Sequence, residues 1–227
     1  MRLLIVSDIH SNWPALRAID EPADMVMCLG DLVDYGPQPV ECVRAIMERG
    51  WPVIKGNHDA AVAEGYRCGN YRHVGMDVRE FNRDRLGVPE IEYLSNLPLS
   101  NTFEFAGARF HAVHASLSDP LSRYLFPFVD EKVWKAELAL AEADFVLMGH
   151  THWPWIHQFG TKTVINPGSV GQPRDGDPRA SYAIWEDGAA RIVKVEYPVE
   201  ETIEALQETG LDEATVGVVA EILRRGG

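Results

Sequence analysis

The sequence predicts an α/β fold in which two packed, mixed β-sheets are flanked by helices. Three observations carry that expectation. Through the first 57 residues, apolar strand-like runs alternate with helical patterns, the β-α-β-α-β order of a parallel core with right-handed crossovers. From residue 101 the pattern turns to short strands separated by turn residues. At five places an apolar run leads directly into a short loop carrying Asp, Asn or His, the strand ends where α/β sheets gather ligands.

The elements follow in order. Residues 2–7, dense in Leu, Ile and Val, read as a buried strand. Trp13 to Glu21 reads as a helix with Pro14 in its first turn. Met25 to Leu29 is a second strand. Val40 to Glu48 is a helix stopped by Gly50, and Pro52 to Lys55 a short strand. Residues 60–100 form a mostly helical insertion, with polar loops near Tyr71, Arg72 and His73. Thr102–Phe105 and Arg109–Val113, separated by Gly107, read as a hairpin. Lys132 to Ala143 is a helix and Phe145–Met148 a strand, with three or four more strands between Pro154 and Val195. The tail, residues 199–227, reads as two helices broken at Gly210, with Asp212 as N-cap. The expected organisation is one domain over residues 1–227.

Composition narrows the class. Of 227 residues, 46% are apolar and 24% charged, as in water-soluble globular proteins. No run approaches the roughly 18 apolar residues of a membrane helix, so no membrane partner is expected and the expected location is cytoplasmic. Cys28, Cys42 and Cys68 are odd in number and scattered, which suits buried thiols rather than a metal site or a disulfide framework. A net charge of −13 argues against general nucleic-acid binding and for a small anionic partner. Nothing resembles a coiled-coil seam, and the oligomeric state stays open.

The chemistry lies in five islands: Asp8-Ile9-His10, Gly30-Asp31, Gly56-Asn57-His58-Asp59, His114, and Gly149-His150-Thr151-His152. Asp8 and His10 lie two apart, so in an extended segment they share a face, and His150 and His152 have the same spacing. Asp31 could bridge, giving one carboxylate oxygen to each of two ions. Two Asp, one Asn and four His make a mixed N/O set suited to Mn, Fe, Zn, Co or Ni rather than Mg or Ca. Two divalent ions with two aspartates and a hydroxide leave a charge near +1, which attracts a phosphate anion.

These islands, in this order, resemble the calcineurin-like metallophosphoesterases, with an echo in Asn166-Pro167-Gly168-Ser169-Val170. The resemblance implies a four-layer sandwich and two divalent transition-metal ions, manganese first among them. It implies that Asp8, His10, Asp31 and His152 hold one ion, and Asp31, Asn57, His114 and His150 the other. It further implies phosphoester hydrolysis by metal-activated water, with His58 as general acid. Gly30-Asp31-Leu32-Val33-Asp34 resembles the family's G-D-x-V-D, so Asp34 would orient His58 and fix its tautomer.

One position departs from the pattern. The protein-phosphatase branch carries an Arg after that second aspartate, where it grips a monoester dianion. Tyr35 stands here, which favours the small bacterial phosphodiesterase branch. Arg174 is a weaker candidate for substrate contact. Trp153 and Trp155 are candidates for lining the pocket, with packing the plainer alternative. His73, His111 and His157 read as structural or surface residues; on a strand, His111 and His114 face opposite sides. Phosphomonoesterase and dinucleoside polyphosphate hydrolase remain alternatives. A retromer subunit with a similar fold uses it for protein binding, but such a scaffold has no need of a complete ligand set.

Overall fold

The computed structural model describes residues 1–67 and 73–227, with the backbone alone for residues 73–76. The first half runs β1 (Arg2–Val6), α1 (Trp13–Arg17), β2 (Met25–Cys28), α2 (Pro39–Arg49), then three helices, α3 (Asn57–Glu64), α4 (His73–Arg85) and α5 (Val88–Ser95). The second half runs β3 (Ser100–Phe105), β4 (Ala108–Val113), α6 (Glu131–Leu138), β5 (Phe145–Leu147), β6 (Trp155–Phe159), β7 (Lys162–Asn166), β8 (Ala180–Glu186) and β9 (Ala189–Val195). It closes with α7 (Val199–Gln207) and α8 (Glu213–Arg225), the latter N-capped by Asp212.

One sheet has the order β2-β1-β8-β9 and the other β3-β4-β5-β7-β6. Both are mixed: β1 runs parallel to β2 and antiparallel to β8, while β5 runs parallel to β4 and β7. Period-2 alternation sets the layers. Leu3 and Ile5 face the second sheet, meeting Phe110, Leu147 and Ile165, and Phe110 and Trp185 touch edge to face at 5.2 Å. Leu4 and Val6 face the other way, onto Leu16, Val43, Ile46 and Leu94 of the helices. The outer face of the second sheet is covered by α6, whose Trp134 packs with Val113, Val146 and Val164. The result is a helix, sheet, sheet, helix sandwich. Among the described residues no helix is long and apolar enough to cross a membrane.

Three elements differ from expectation. The first helix stops at Arg17 instead of Glu21, because Pro22 disfavours helical geometry at Glu21 and Arg2 holds the Glu21 carboxylate at 2.7 Å. The helix expected to reach Ala143 ends at Leu138, where the Lys162 ammonium takes the carbonyls of Leu138 and Ala141. Pro52–Lys55 makes only a parallel bridge, Cys28 to Val53; Pro52 has no N–H, and Lys55 N donates instead to Pro98 O at 2.7 Å. Tyr71, Arg72 and Cys68 lie outside the described residues, and His73 opens α4 rather than a loop. Cys28 and Cys42 are buried, as expected.

This architecture brings four strand ends together. Asp8 follows β1, Asp31 follows β2, and His114 and His150 follow β4 and β5. The loops are stitched across the sheets: Asp8 N donates to Gly30 O at 3.0 Å, and Gly149 N to His114 O at 2.8 Å.

Candidate metal centre

Two groups of ligand atoms converge. Asp8, His10, Asp31 and His152 place one donor each within 4.8 Å of one another, and so do Asp31, His114 and His150. Asn57 Oδ1 joins the second group, 3.0 Å from His114 Nε2. All seven predicted ligand positions therefore meet in one place, and each of these side chains is buried.

The ligands do not lie on extended backbone. Asp8 (φ 55°), His10 (φ 48°), Asp31 (φ 55°), His150 (φ 67°) and His152 (φ 57°) are left-handed, as are Ser11, Asp34 and Tyr35. Each such residue costs about 1–3 kcal/mol, which only the surrounding hydrogen bonds can sustain. Tight loops replace the extended segments expected from i, i+2 spacing: Asp8 and His10 still share one group, whereas His150 and His152 separate. His152 pairs with His10 across the chain, Nε2 to Nε2 at 3.0 Å, while His150 turns to the other group.

The imidazoles are pre-set as ligands. His10 Nδ1 hydrogen-bonds Val33 O at 3.1 Å, His114 Nδ1 Leu29 O at 2.7 Å, and His152 Nδ1 Gln172 O at 2.6 Å. A carbonyl can only accept, so each Nδ1 carries a proton and each Nε2 is turned to the cluster; in His114 that Nε2 also donates, to Asn57 Oδ1. His150 is reversed: its Nε2 donates to Ser122 O at 3.3 Å, which makes Nδ1 its ligand atom.

The carboxylates show the same division. Asp8 Oδ2 accepts Ser7 Oγ at 2.5 Å and His150 N at 3.1 Å. Asp31 Oδ1 accepts His58 N at 2.8 Å. The remaining oxygens, Asp8 Oδ1 and Asp31 Oδ2, are buried with no hydrogen-bond donor among the described residues. Such orphaned anionic atoms are costly unless a cation meets them. Asp31 Oδ2 alone faces both groups, 3.2 Å from His114 Nε2 and 3.8 Å from His10 Nε2. Sharing would therefore run through one oxygen, not through one oxygen for each group, because Oδ1 is committed to the His58 backbone.

Charge agrees with this reading. Burial pushes Asp8 and Asp31 upward, yet His152 beside Asp8, and His114 and His58 beside Asp31, hold both carboxyls well below the usual range. Burial, then the neighbouring His152, holds His10 well below its ordinary value. Burial and His114 bring His150 down to about 3; burial and Arg174 lower His152. His114 behaves oppositely: burial would lower it, but Asp31 raises it to about 9. A position that draws a proton this strongly favours positive charge. Ionised carboxylates and neutral imidazoles are the forms that bind divalent ions; Asp8, Asp31, His10, His150 and His152 rest in them, and His114 would give up its proton to a cation, so the residues fit divalent metal ions.

Beside the cluster, His58 Nδ1 hydrogen-bonds Asp34 Oδ2 at 2.8 Å, and its Nε2 lies 4.0 Å from Asp31 Oδ2. This is the predicted pairing of His58 with Asp34.

Comparison with known proteins agrees with this geometry. Residues 1–187 match the calcineurin-like phosphoesterase superfamily domain. The chain belongs to that superfamily. An uncharacterized protein of Methanocaldococcus jannaschii is 31% identical over 93% of this chain and 94% of its own length. Phosphodiesterase YfcE of Escherichia coli is 27% identical over 85% of this chain and 91% of its own length. The crystal structure of a metallophosphoesterase from Sphaerobacter thermophilus superposes with a TM-score of 0.82 at 30% identity, covering 100% of this chain and 99% of that one.

Several further residues of this phosphoesterase fold support the centre, some within motifs already singled out and two, Asn82 and Arg79, not legible beforehand. Asp59, the last residue of its island, accepts from the backbone N–H groups of Asp31, Leu32 and Gly56 at 2.8–2.9 Å, tying two ligand loops together. Burial and the charge of Asp31 raise its carboxyl to about 7. Asn82 of α4 accepts from Asp34 N at 3.0 Å and Ser11 Oγ at 2.5 Å, and Arg79 Nε donates to Asp34 Oδ2 at 3.2 Å. Both lie in the helical insertion, where no motif marks them. Asn166 and Ser169 brace the loops: Asn166 Nδ2 donates to Gly149 O at 2.8 Å and Ser169 Oγ to Asp8 O at 2.7 Å. Arg174 donates to Gln172 Oε1 at 2.7 Å, and its guanidinium lies over the Tyr35 ring, 5.7 Å from the centroid.

Other candidates lie elsewhere. Trp155 is buried against Trp134 and does not line the site. His111 bonds Thr102 Oγ1 at 2.7 Å and His157 packs on Phe159, both away from the cluster. Nothing is described of the His73 side chain.

Gly56 and Gly149 hold their positions through close approach rather than turn geometry. A Cβ at Gly56 would overlap the backbone and carboxylate of Asp31, and one at Gly149 would overlap Ser7 Oγ. Gly56→Ala is therefore expected to displace Asp31 and to destabilise the fold by about 1–3 kcal/mol. Thermal unfolding and metal content would register it; an unchanged midpoint with full metal loading would contradict the close-contact account.

Proposed function

We propose that the protein is a dinuclear metal-dependent phosphoesterase whose preferred substrate is a small phosphodiester. The observation that carries this is the pair of ligand groups sharing Asp31 Oδ2, with the His58–Asp34 pair beside them. Asp8, His10, Asp31 and His152 would hold one ion, and Asp31, Asn57, His114 and His150 the other. Manganese is the proposed metal, from a donor set that also suits Fe, Ni, Zn and Co. Bound there, two divalent ions would polarise the phosphoryl oxygens and activate a water near neutral pH.

The chain's own residues supply the rest. His58, held by Asp34 through Nδ1, would deliver a proton from Nε2 to the departing alkoxide. Asp34 is in turn fixed by Arg79 and Asn82, so the acid is aimed before substrate arrives. The diester preference is supported by Tyr35. Its ring packs 4.9 Å from His10 and 4.8 Å from His58, where an Arg would otherwise grip a dianion. Similarity to a relative that is a phosphodiesterase supports the same reading. The net charge of −13 favours a small anionic ester over a nucleic-acid polymer.

The test is hydrolysis of bis-p-nitrophenyl phosphate by chelated protein re-supplied with Mn²⁺, Ni²⁺, Zn²⁺ or Mg²⁺. Activity is expected to vanish on chelation and return with a transition metal, with the nitrophenyl monoester turned over more slowly. A faster monoester rate would refute the diester preference. Two bound ions per chain with no esterase activity would move the fold to the scaffold reading.

A further inference from the structure

Four aromatic residues border the metal cluster on two adjoining loops, and three of them are turned outward. Tyr124 is 52% exposed, Phe128 71% and Trp153 40%; Phe126 is half-buried between the last two. They are continuous with the site. The Tyr124 ring lies 4.0 Å from that of His150, and Trp153 directly follows His152. Phe126 and Phe128 stack at 5.3 Å with ring planes 9° apart, and Trp153 leans on both at 5.8 and 5.9 Å.

The exposure is built into the loop. Leu125 enters the core beside Trp134 and Val113, so its neighbours Tyr124 and Phe126 face outward. Arg123 pairs with the buried carboxylate of Glu137, which also accepts from Ser118 N at 3.1 Å, anchoring the segment from behind. The Trp134 indole N–H donates to Phe126 O at 3.1 Å. These contacts hold the loop, and with it the rings, beside the ligand cluster.

Resting on the reading of that centre as a phosphoesterase site, we propose that Tyr124, Phe126, Phe128 and Trp153 form a stacking subsite for the nucleobase of a nucleotide ester. Phosphate esters that carry a planar ring are chiefly nucleotides, and bases stack on aromatic side chains whatever their sequence identity. The four residues carry no carboxylate or amide to read a base edge. The subsite therefore separates nucleotides from sugar phosphates more strongly than one base from another.

The test is calorimetric binding to the metal-loaded protein of two hydrolysis-resistant diester analogues, the monomethyl esters of the 5′-methylenephosphonates of adenosine and of ribose. The adenosine compound is expected to bind about tenfold tighter. Phe128→Ala/Trp153→Ala should remove that difference while leaving the ribose compound's affinity unchanged, and Trp153→Phe should retain most of it. Equal affinities in the native protein, no binding of the adenosine compound, or a preference that survives in the double variant would each overturn the proposal. So would a double variant that loses self-association in sedimentation but keeps the preference, since the shelf would then meet a second copy. The two readings fail separately. Ester hydrolysis without a base preference removes the subsite alone; a base preference without hydrolysis of any ester removes the esterase alone.

Discussion

Asp31→Asn is expected to lower bis-p-nitrophenyl phosphate turnover by about 10³-fold or more, beyond the 10²–10³ typical of losing one group that holds transition-state charge. The reason is position. Asp31 Oδ2 is the one atom facing both ligand groups, and the carboxylate supplies one of only two negative charges among the seven ligands. An amide keeps the shape, and its oxygen can still accept the His58 N–H, but it brings no charge to either ion. Metal analysis should therefore fall below two ions per chain while the chelated variant unfolds within a few degrees of chelated wild type. That combination separates a metal-holding residue from a structural one. Retention of both full activity and two ions would remove the shared-carboxylate account; loss of folding before chelation would point instead to a structural role.

His58→Ala should lower turnover by about 10²–10⁴ on diesters with alkyl leaving groups, the usual worth of a positioned general acid. With nitrophenolate, which departs without a proton, the loss should stay below about tenfold. The geometry behind this is the division of labour in one ring: Nδ1 is held by Asp34 at 2.8 Å, so only Nε2 can serve the substrate. Asp34→Asn should give a smaller loss with the same leaving-group dependence, since Arg79 and Asn82 still shape the loop. Rates on a series of leaving groups of graded pKa would decide it. An equal loss across the series would mean that His58 binds or positions rather than donates a proton.

Much of this molecule was readable in one dimension. The hydrophobic period marks strands and helices, and it placed β1, β2, α2, the β3–β4 hairpin and the two C-terminal helices close to where they stand. The ligand loops could be found because each follows an apolar strand and combines Gly with Asp, Asn or His. Element ends were less legible. The first helix stops before Pro22, a local signal, with Glu21 held by Arg2, and α6 ends where Lys162 takes its carbonyls; the Arg2 and Lys162 contacts lie outside any local pattern. Asn82 and Arg79 were invisible for a related reason: a helix interior gives no sign that its polar side chains are turned into a distant loop.

By itself the sequence determined which residue types could form the centre and where along the chain they would emerge, because strand ends and short loops are local consequences of side-chain periodicity. Tertiary structure decided how they combine. His10 meets His152 across 142 positions, His150 goes to the other group as the resemblance implied, and one oxygen of Asp31 faces both. These outcomes depend on left-handed backbone at these residues and on carbonyls from other loops that orient each imidazole. Such constraints exist only once the two sheets have packed, since it is packing that compensates the strain of those loops.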